Sequence, residues 1–332
     1  MRLRTALFGV LLFLQSALVL TGGAVRLTGS GLGCPTWPEC TPGSYTPVPY
    51  QAEGQLHAWI EFGNRLLTFA LLQAAIIVFI NVGWFQRILT SILNSGRVQR
   101  ILKIIPHGDR ALRPISKILN ALENRFSVRR DLQILALGQV IGILAQGVLG
   151  GITVLTDLHP LPVAGHLLLS MLLIAGAASL YSRRDAPQMR VAAPTKTVSL
   201  ISQLHIVVAF IVLILGTLVT GSGPHAGDEK TQRFGFDIRS VAILHADAVI
   251  LLVGITLALL VAASVAQSTK KAIYIFFAVT LAQGAIGYTQ YFTGIPEFLV
   301  AAHLAGATIF WIAAWRIRLS VVRTSQQERD RI

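Results

Sequence analysis

Two stretches of sequence decide the fold: Leu144-Ala145-Gln146-Gly147 with His166 downstream, and Leu281-Ala282-Gln283-Gly284 with His303 downstream. In each copy the histidine follows the glutamine by twenty positions, and a constant shift of 137 residues relates the two copies. An internal repeat of this kind constrains the architecture more strongly than any single motif. The repeat predicts that one scaffold is built twice and that it places a histidine twice.

Shorter sequence matches extend the repeat toward the start of each half. They are Thr-Gly-Ser-Gly at residues 28–31 and 220–223, and Leu-His-Ala at residues 56–58 and 244–246. The first half of the chain is therefore expected to recur as the second half. In this alignment His57 is the counterpart of His245.

The composition predicts an integral membrane protein. Hydrophobic residues make up 53% of the 332 residues, charged residues only 13%, and the mean hydropathy is +0.64. These values are too apolar for an ordinary soluble domain of this length. Eight apolar segments are long enough to cross a bilayer as helices: 5–25, 58–82, 131–152, 161–182, 198–220, 240–262, 271–291 and 296–318. The repeat makes the first segment the counterpart of the fifth, and this favours a membrane span over a cleaved signal peptide.

The positions of the basic residues predict the topology. The net charge is +13, and 23 of the 28 Lys and Arg residues fall in segments that lie on one side of the membrane if the spans alternate. Under the positive-inside rule, both termini are cytoplasmic and the protein is a multi-pass protein of the plasma membrane. The same distribution favours contact with the lipid bilayer and argues against a nucleic-acid partner. Residues 83–130 are either an amphipathic segment on anionic lipid or a solvated loop with topogenic charge.

The two cysteines of the chain lie in the outer loop after the first span. Cys34 and Cys40 are separated by five residues in a short, Pro-rich stretch. Because the outer side of the membrane is oxidising, we expect a disulfide between them, rather than a zinc site, which requires four ligands. The sequence leaves open whether the disulfide is structural or has a redox role.

The second span begins with a cluster of polar residues. Glu61 and Arg65 are four residues apart on a helix and can pair, and Asn64 and His57 lie on the same helix. Ionisable residues within a span are costly and are functional candidates by default, although a structural ion pair is the alternative.

Three histidines are expected to share a depth near the outer surface. His166, His245 and His303 each lie within the first turns of an even-numbered span, and every even-numbered span runs inward. Bundle cores hold cofactors with side chains from facing helices. No cysteine cluster for iron–sulfur binding is present, and the Glu-x-x-His pairs of di-iron sites are not repeated. The pattern therefore predicts haem, with His245 and His303 on one iron and His166 facing the second span.

Four further histidines receive weaker assignments. His107, His159 and His205 are expected to be structural. His225 lies in the glycine-rich stretch 221–228, which is either a surface turn or a contact to the edge of a cofactor.

These residues together resemble the haem A synthase family. The motifs are Arg-Leu-Thr-Gly-Ser-Gly-Leu-Gly-Cys at residues 26–34, Trp-Pro-Glu-Cys at 37–40, Glu-Phe-Gly-Asn-Arg at 61–65, the stretch 221–228, and the histidines of spans four, six and eight. The resemblance implies an all-α membrane protein with eight transmembrane helices in two pseudo-symmetric four-helix bundles. It also implies oxidation of the ring D methyl group of haem O to a formyl group, which gives haem A for terminal oxidases.

The resemblance assigns a role to each half. It implies that His245 and His303 are the axial ligands of a haem b, and that the first half receives the substrate haem O next to His166 and Glu61. It also matches Cys34 and Cys40 with a cysteine pair in the outer loop. On this basis we expect a substrate-haem half at residues 1–183, a cytoplasmic linker at 184–197, a haem b half at 198–319 and a cytoplasmic tail at 320–332.

One residue departs from the family pattern. The family commonly has Glu-x-x-His-Arg in the second span, and the histidine position is Asn64 in this chain. Either His166 alone holds the first-half iron, or His57 takes over as its second ligand. For Glu61 the expectation is a catalytic role, as a proton carrier or an orienting acceptor, and Asn64 and Arg65 are expected to be cofactor-binding residues beside it.

Two other classes of protein compete with an oxidising enzyme. A quinol-linked di-haem cytochrome b would have two histidine ligands in both halves, and a transporter would also show internal repeats. The missing partner at Asn64 argues against the first, and histidines near one face rather than at the midplane argue against the second. The expected partners are haem O, the haem O synthase and a second copy of the chain; the sequence does not identify the electron donor.

Overall fold

The computed structural model describes residues 2–51, 54–83, 95, 130–184, 194–225, 231–262 and 265–329. Its helices are α1 (Arg2–Leu27), α2 (Gln55–Asn81), α3 (Arg130–Leu155), α4 (Pro160–Ser182), α5 (Lys196–Ser222), α6 (Ile238–Val261), α7 (Gln267–Phe292) and α8 (Glu297–Arg329). All eight are long and apolar enough to span a membrane. The predicted all-helical fold with eight spans is thus confirmed, and the described residues include no β-strand. Helix α8 continues to Arg329, so most of the expected tail is helical.

The helices pack as two groups of four. In the first group α1 contacts α2, α2 contacts α3, α3 contacts α4, and α4 closes the ring on α1. The second group repeats this order from α5 to α8, although α6 touches α7 much less than α2 touches α3. The groups meet through α1 and α4 on one side and α5 and α8 on the other. This order is consistent with two bundles related by a pseudo-twofold axis.

The repeat extends to the hydrogen bonds of the outer turns. In the turn between α3 and α4, the Leu158 N–H donates to the Thr153 carbonyl at 2.8 Å, and in the turn between α7 and α8 the Ile295 N–H donates to Gln290 at 2.7 Å. Leu158 and Ile295 both have a left-handed backbone, with φ of 58° and 60°. Each of these pairs is related by the 137-residue shift, so the sequence repeat is also a structural repeat.

The core joins the two groups into one body. The larger cluster of buried apolar side chains combines α5 to α8 with Val19 of α1 and Met171 of α4. Two tryptophans of α8 also donate hydrogen bonds to α4, Trp311 to the Met171 carbonyl at 2.6 Å and Trp315 to the Ser179 hydroxyl at 2.8 Å. These contacts fix the position of one histidine-bearing helix against the other.

Buried amides link the helices of the first group. Gln139 of α3 is 2% exposed, accepts a hydrogen bond from Gln15 of α1 at 3.0 Å and donates one to the Leu173 carbonyl of α4 at 3.0 Å. Gln133, on the same helix, donates to the Val82 carbonyl at 3.4 Å. Since buried amides need partners in an apolar environment, these bonds hold α3 in register with its neighbours.

Several sequence expectations concern residues outside the described ranges. They are the amphipathic segment within 83–130, His107, most of the linker 184–197 and the end of the glycine-rich stretch 221–228.

Candidate functional site

His245 of α6 and His303 of α8 face each other across the second group of helices. Their ring centroids are 6.5 Å apart, and the ring planes are inclined by 69°. Two metal–imidazole bonds of about 2 Å each, plus about 1 Å from each ring centre to its nitrogen, span about 6 Å. The two rings are thus spaced to hold one metal ion between them.

Each of the three candidate ligands packs against a glycine on the preceding helix. A Cβ added at Gly150 would lie 3.2 Å from Cε1 of His166, and one added at Gly287 would lie 3.2 Å from Cε1 of His303. For His245 the corresponding glycine is Gly216, at 3.4 Å. Gly150 and Gly287 are related by the 137-residue shift, and the sequence alone gives no reason for a glycine at these positions.

The same contacts orient the imidazole rings. The Nδ1 atoms of all three rings are buried without a hydrogen-bond partner, whereas the rings as a whole are only half-buried. The Nδ1 side therefore faces the neighbouring helix, and the Nε2 side borders open space. A ring held in this way presents Nε2 as the metal ligand.

The residues present fit a haem iron. Within the described part of the chain, no group of three or more His, Cys, Asp or Glu side chains converges to hold a metal ion by itself. Haem iron takes its in-plane ligands from the porphyrin and requires only axial ligands from the protein. A pair of facing imidazoles is the donor set that such a cofactor needs.

The repeated glutamines lie next to the repeated histidines. Gln146 donates to the His166 carbonyl at 3.0 Å and to the Ser170 hydroxyl at 2.6 Å. Its counterpart Gln283 packs against Gly306 of α8, where an added Cβ would displace the end of the Gln283 side chain. In both copies the glutamine joins the two helices beside the histidine.

Glu61 of α2 is buried, and hydrogen bonds occupy both of its carboxylate oxygens. Oε2 accepts the backbone N–H of Cys34 at 2.7 Å, and Oε1 accepts Nε and Nη2 of Arg65 at 3.1 and 2.6 Å. Arg65 also donates to the carbonyls of Cys34, Thr36 and Glu39. The ion pair between Glu61 and Arg65 thus clamps the outer loop onto α2.

The clamped loop contains the expected disulfide. Cys34 and Cys40 are bonded, with an S–S distance of 2.07 Å, and both residues are fully buried. Gly33 lies so close to the backbone of His57 that any side chain there would collide with it, and Trp37 packs against Gly151 of α3. The loop therefore covers the start of α2 and the end of α3.

Asn64 and His57 occupy different environments. Asn64 accepts a hydrogen bond from the Thr21 hydroxyl of α1 at 2.7 Å, and Gly22 of α1 lies beside it. Nδ1 of His57 is 2.8 Å from the hydroxyl of the fully buried Ser30.

The depths of these residues also differ. Asn64 is the tenth residue of α2, close to the depth of the other candidates, which are the seventh residues of α4 and α8 and the eighth of α6. His57 is only the third residue of its helix. The structure thus places Asn64 rather than His57 nearest to the depth of the three histidines.

The remaining described histidines make other contacts. His159 caps α4 by accepting the Leu161 N–H at 3.3 Å, and His205 is fully buried in α5 with its ring edge-on to Phe276. Nε2 of His225 is 2.8 Å from the Ile295 carbonyl, so this residue ties the loop between α5 and α6 to the turn before α8.

Two arginines meet beside the end of α5, Arg26 from the motif at residues 26–34 and Arg233 from the segment before α6. Arg26, at the end of α1, donates to the carbonyls of Thr220 and His225, and Arg233 donates to the Pro224 carbonyl. Burial lowers the pKa of the Arg233 guanidinium. At the start of α6, Asp237 accepts hydrogen bonds from the side chain and backbone of Ser240, and these bonds lower its pKa.

The fold and the site define a class of polytopic membrane proteins in which histidines of neighbouring helices face each other inside a helix bundle. Within that class the chain belongs to the cytochrome oxidase assembly protein family COX15-CtaA, whose model matches residues 5–227. The match confirms the resemblance found in the motifs.

Individual relatives of the chain are also similar to it in sequence. The haem A synthase of Sinorhizobium fredii is 25% identical over 349 residues, a match that covers 92% of this chain and 87% of the relative. The haem A synthases of Geobacillus thermodenitrificans and Lysinibacillus sphaericus are 33% and 32% identical over 81 and 84 residues. These two matches cover 24% and 25% of this chain, and only 22% and 23% of the relatives themselves.

Proposed function

We propose that the protein is a haem A synthase, a membrane oxidoreductase that converts the ring D methyl group of haem O to a formyl group. The conversion removes two hydrogens, adds one oxygen and withdraws four electrons from the substrate. The observation that supports it best is the asymmetry of the two halves: His303 has His245 opposite it at 6.5 Å, whereas His166 has no histidine at the matching depth of α2. The name shared by the relatives above is consistent with this reading.

In this proposal the second half holds a resident haem b. His245 and His303 would hold its iron, and Gly216 and Gly287 fix the orientation of their rings. When bound, the haem supplies the electron-transfer chemistry of the enzyme. The protein contributes the position and the apolar surroundings of the iron.

The first half receives haem O. His166 is the proposed ligand, and Asn64, an amide engaged by Thr21, does not provide a second one. Glu61 and Arg65 hold the disulfide loop over this half and so exclude water from the substrate. His57 lies at the start of α2, where its ring contacts Ser30. We therefore assign it to holding this loop rather than to binding the iron.

The cellular setting follows from the same proposal. We place the protein in the plasma membrane with both termini in the cytoplasm, where the haem O synthase would deliver a substrate that partitions into lipid. Residues 1–183 form the substrate half and 198–319 the haem b half, with 184–197 as linker and 320–332 as tail. A homo-oligomer is compatible with this arrangement.

The test is to express the chain with a source of haem O and to identify the haems extracted from the purified protein. Haem A, or the hydroxymethyl form that precedes it, is the expected product. An intact, haem-loaded preparation that contains neither would overturn the proposal. The His303→Ala variant should lose the low-spin haem b spectrum, with His159→Ala, at a helix cap, as the control.

A quinol-linked di-haem cytochrome b is the second candidate. It would require a low-spin haem with two axial imidazoles in each half. The contacts of Asn64 and His57 disfavour it, and haem extraction distinguishes the two, because a cytochrome leaves haem O unchanged.

A further inference from the structure

Arg26 and Arg233 come from different halves of the chain and meet at the outer end of the second group of helices. Arg26 reaches across from α1 and donates from Nε to the His225 carbonyl at 2.6 Å and from Nη2 to Thr220 at 3.0 Å. Arg233 donates from Nη2 to Pro224 at 2.5 Å. The two guanidinium groups thus bind the carbonyls of adjacent residues, His225 and Pro224.

No acidic side chain of the described residues pairs with either arginine. Nη1 of Arg233 is buried and has no hydrogen-bond partner. Two like charges held together, with a buried donor left open, are costly unless an anion compensates them.

Two buried hydroxyl groups of the same region, at the end of α5 and two residues before Arg233, are also unpaired. Oγ1 of Thr231, a residue only 7% exposed, and Oγ of Ser222 are buried without partners. The segment that carries Thr231 and Arg233 is fixed beside the end of α5, because the Phe234 N–H donates to the Gly221 carbonyl at 3.1 Å and the Phe234 ring packs on that glycine. The open guanidinium donor of Arg233 and the open hydroxyls of Thr231 and Ser222 are the kind of donors that a carboxylate accepts.

The loop lies at the outer end of the proposed haem b site. Helix α6 begins at Ile238, and His245 follows seven residues later, about 10 Å further along the helix axis. On the other side, His225 binds the Ile295 carbonyl in the turn from which α8 descends to His303. The loop is thus connected to α6 and α8, the helices that carry the two candidate ligands. Its separation from the ligands along the helix axis is similar to the radius of a haem.

We propose that Arg233 and Arg26, with Thr231 and Ser222, bind the propionate carboxylates of the haem held by His245 and His303. This inference rests on the haem b site of the proposed function. It adds carboxylate recognition at the outer end of a site that was so far defined only by its metal ligands, and it makes α1 of the first half part of the second-half cofactor site.

The test compares haem b with its dimethyl ester, which has the same iron and ring but no carboxylates. Protein in detergent, stripped of haem, is reconstituted with each form, and dissociation is followed by transfer to an excess of a soluble haem-binding apoprotein. We expect the wild type to release the ester at least tenfold faster than haem b, because charge-assisted hydrogen bonds are lost.

Single substitutions test whether the difference in release rate between haem b and its ester comes from the loop. Arg233→Gln should release haem b about tenfold faster and leave the rate for the ester nearly unchanged, so the two forms converge. Arg233→Lys should restore part of the difference, and Arg239→Gln, which alters an exposed arginine of the same region, should behave as wild type. Loss of positive charge beside the carboxylates should also lower the midpoint potential of the haem in Arg233→Gln.

Equal release of haem b and its ester from the wild type would overturn the inference, as would an Arg233→Gln variant that accelerates both forms equally. The second result would mean that the loop is only a structural support. Helix content and gel-filtration profile of each variant are measured first, and Thr231→Val provides a second, uncharged variant if Arg233→Gln does not fold. Since none of these measurements requires turnover, a failure here is distinguishable from a failure to make haem A.

Discussion

Both carboxylate oxygens of Glu61 are occupied, and this limits what the residue can do. Oε1 is held by Arg65 and Oε2 by the Cys34 N–H. A carboxylate that exchanges protons with a substrate must turn an oxygen toward it, whereas both oxygens of Glu61 are turned toward Arg65 and the loop. The geometry supports the orienting-acceptor alternative, in which Glu61 acts as a positioning residue.

The variant Glu61→Gln tests this role. The amide presents one oxygen and an NH2 group, so it cannot accept from Arg65 and Cys34 together. We expect turnover of haem O to fall more than tenfold while haem b content is unchanged. Product analysis and the visible spectrum measure the two effects. The exposed Glu297→Gln is the control, and full turnover in Glu61→Gln would contradict the assignment.

Asn64→His introduces the residue that the family pattern commonly has. At the depth of the three histidines, the new imidazole can act as a second ligand opposite His166. We expect the variant to retain more substrate haem on purification and to gain a second low-spin signal, measured by spectrum and haem-to-protein ratio. Asn64→Ala, which also loses the bond from Thr21, controls for that loss. Unchanged haem content would place the first-half iron elsewhere.

At the scale of single residues, the sequence predicted which residues belong to the site better than it predicted what each of them contacts. Spacing alone indicated the pair Glu61 and Arg65, because residues four apart share a helix face. It could not decide whether His57 replaces the family histidine that is missing at Asn64, since this depends on where α2 begins and on the contact of His57 with Ser30, 27 residues earlier. The role of Arg233 was equally hidden, because its open donor exists only when the loop folds beside α5.

At the scale of helices, the recurring unit is a histidine ring packed on a glycine of the preceding helix. The separations at Gly150 and Gly287 are the same, 3.2 Å to Cε1 of the ring. At that distance an added methyl group pushes the ring by a few tenths of an ångström. A ring bound to iron cannot move without moving the metal, so the two sites should be sensitive to this change.

The repeat supplies matched variants for this prediction. Gly287→Ala should weaken haem b binding about tenfold, in line with overpacking penalties of roughly 1–3 kcal/mol, and Gly150→Ala should impair turnover while the haem b spectrum is unchanged. Gly284→Ala and Gly147→Ala are the controls, because nothing lies within 4 Å of a Cβ at either position. If Gly150→Ala and Gly287→Ala had the same effect on haem b, the two halves would not be separate sites.

The helices themselves were the most predictable part of the structure. Apolar length located all eight spans to within a few residues, apart from the continuation of α8 to Arg329. The 137-residue shift also aligned the turns around Leu158 and Ile295. The sequence did not show which residues touch across α3 and α4, because such contacts depend on the crossing of the helices rather than on their periodicity.

At the scale of the whole molecule, the proposed topology can be tested directly. Fluorescent protein fused after Ile332 should fluoresce, because it folds in the cytoplasm, and alkaline phosphatase fused at the same point should be inactive. The reverse is expected for fusions after the exposed Tyr45 in the outer loop. Active phosphatase at the C-terminus would show that the protein has the opposite orientation in the membrane, with all three candidate ligands near the cytoplasmic side.

The buried glutamines of α3 also bear on how the protein enters the membrane. Gln139 obtains one partner from α1, which is synthesised before it, and another from α4, which is synthesised after it. Until α4 has left the ribosome and entered the bilayer, part of this amide has no partner in the folded arrangement, and an unpaired amide in lipid is unfavourable. Insertion of α3 is therefore completed by the helix that carries His166, so that the first half assembles as a unit during translation.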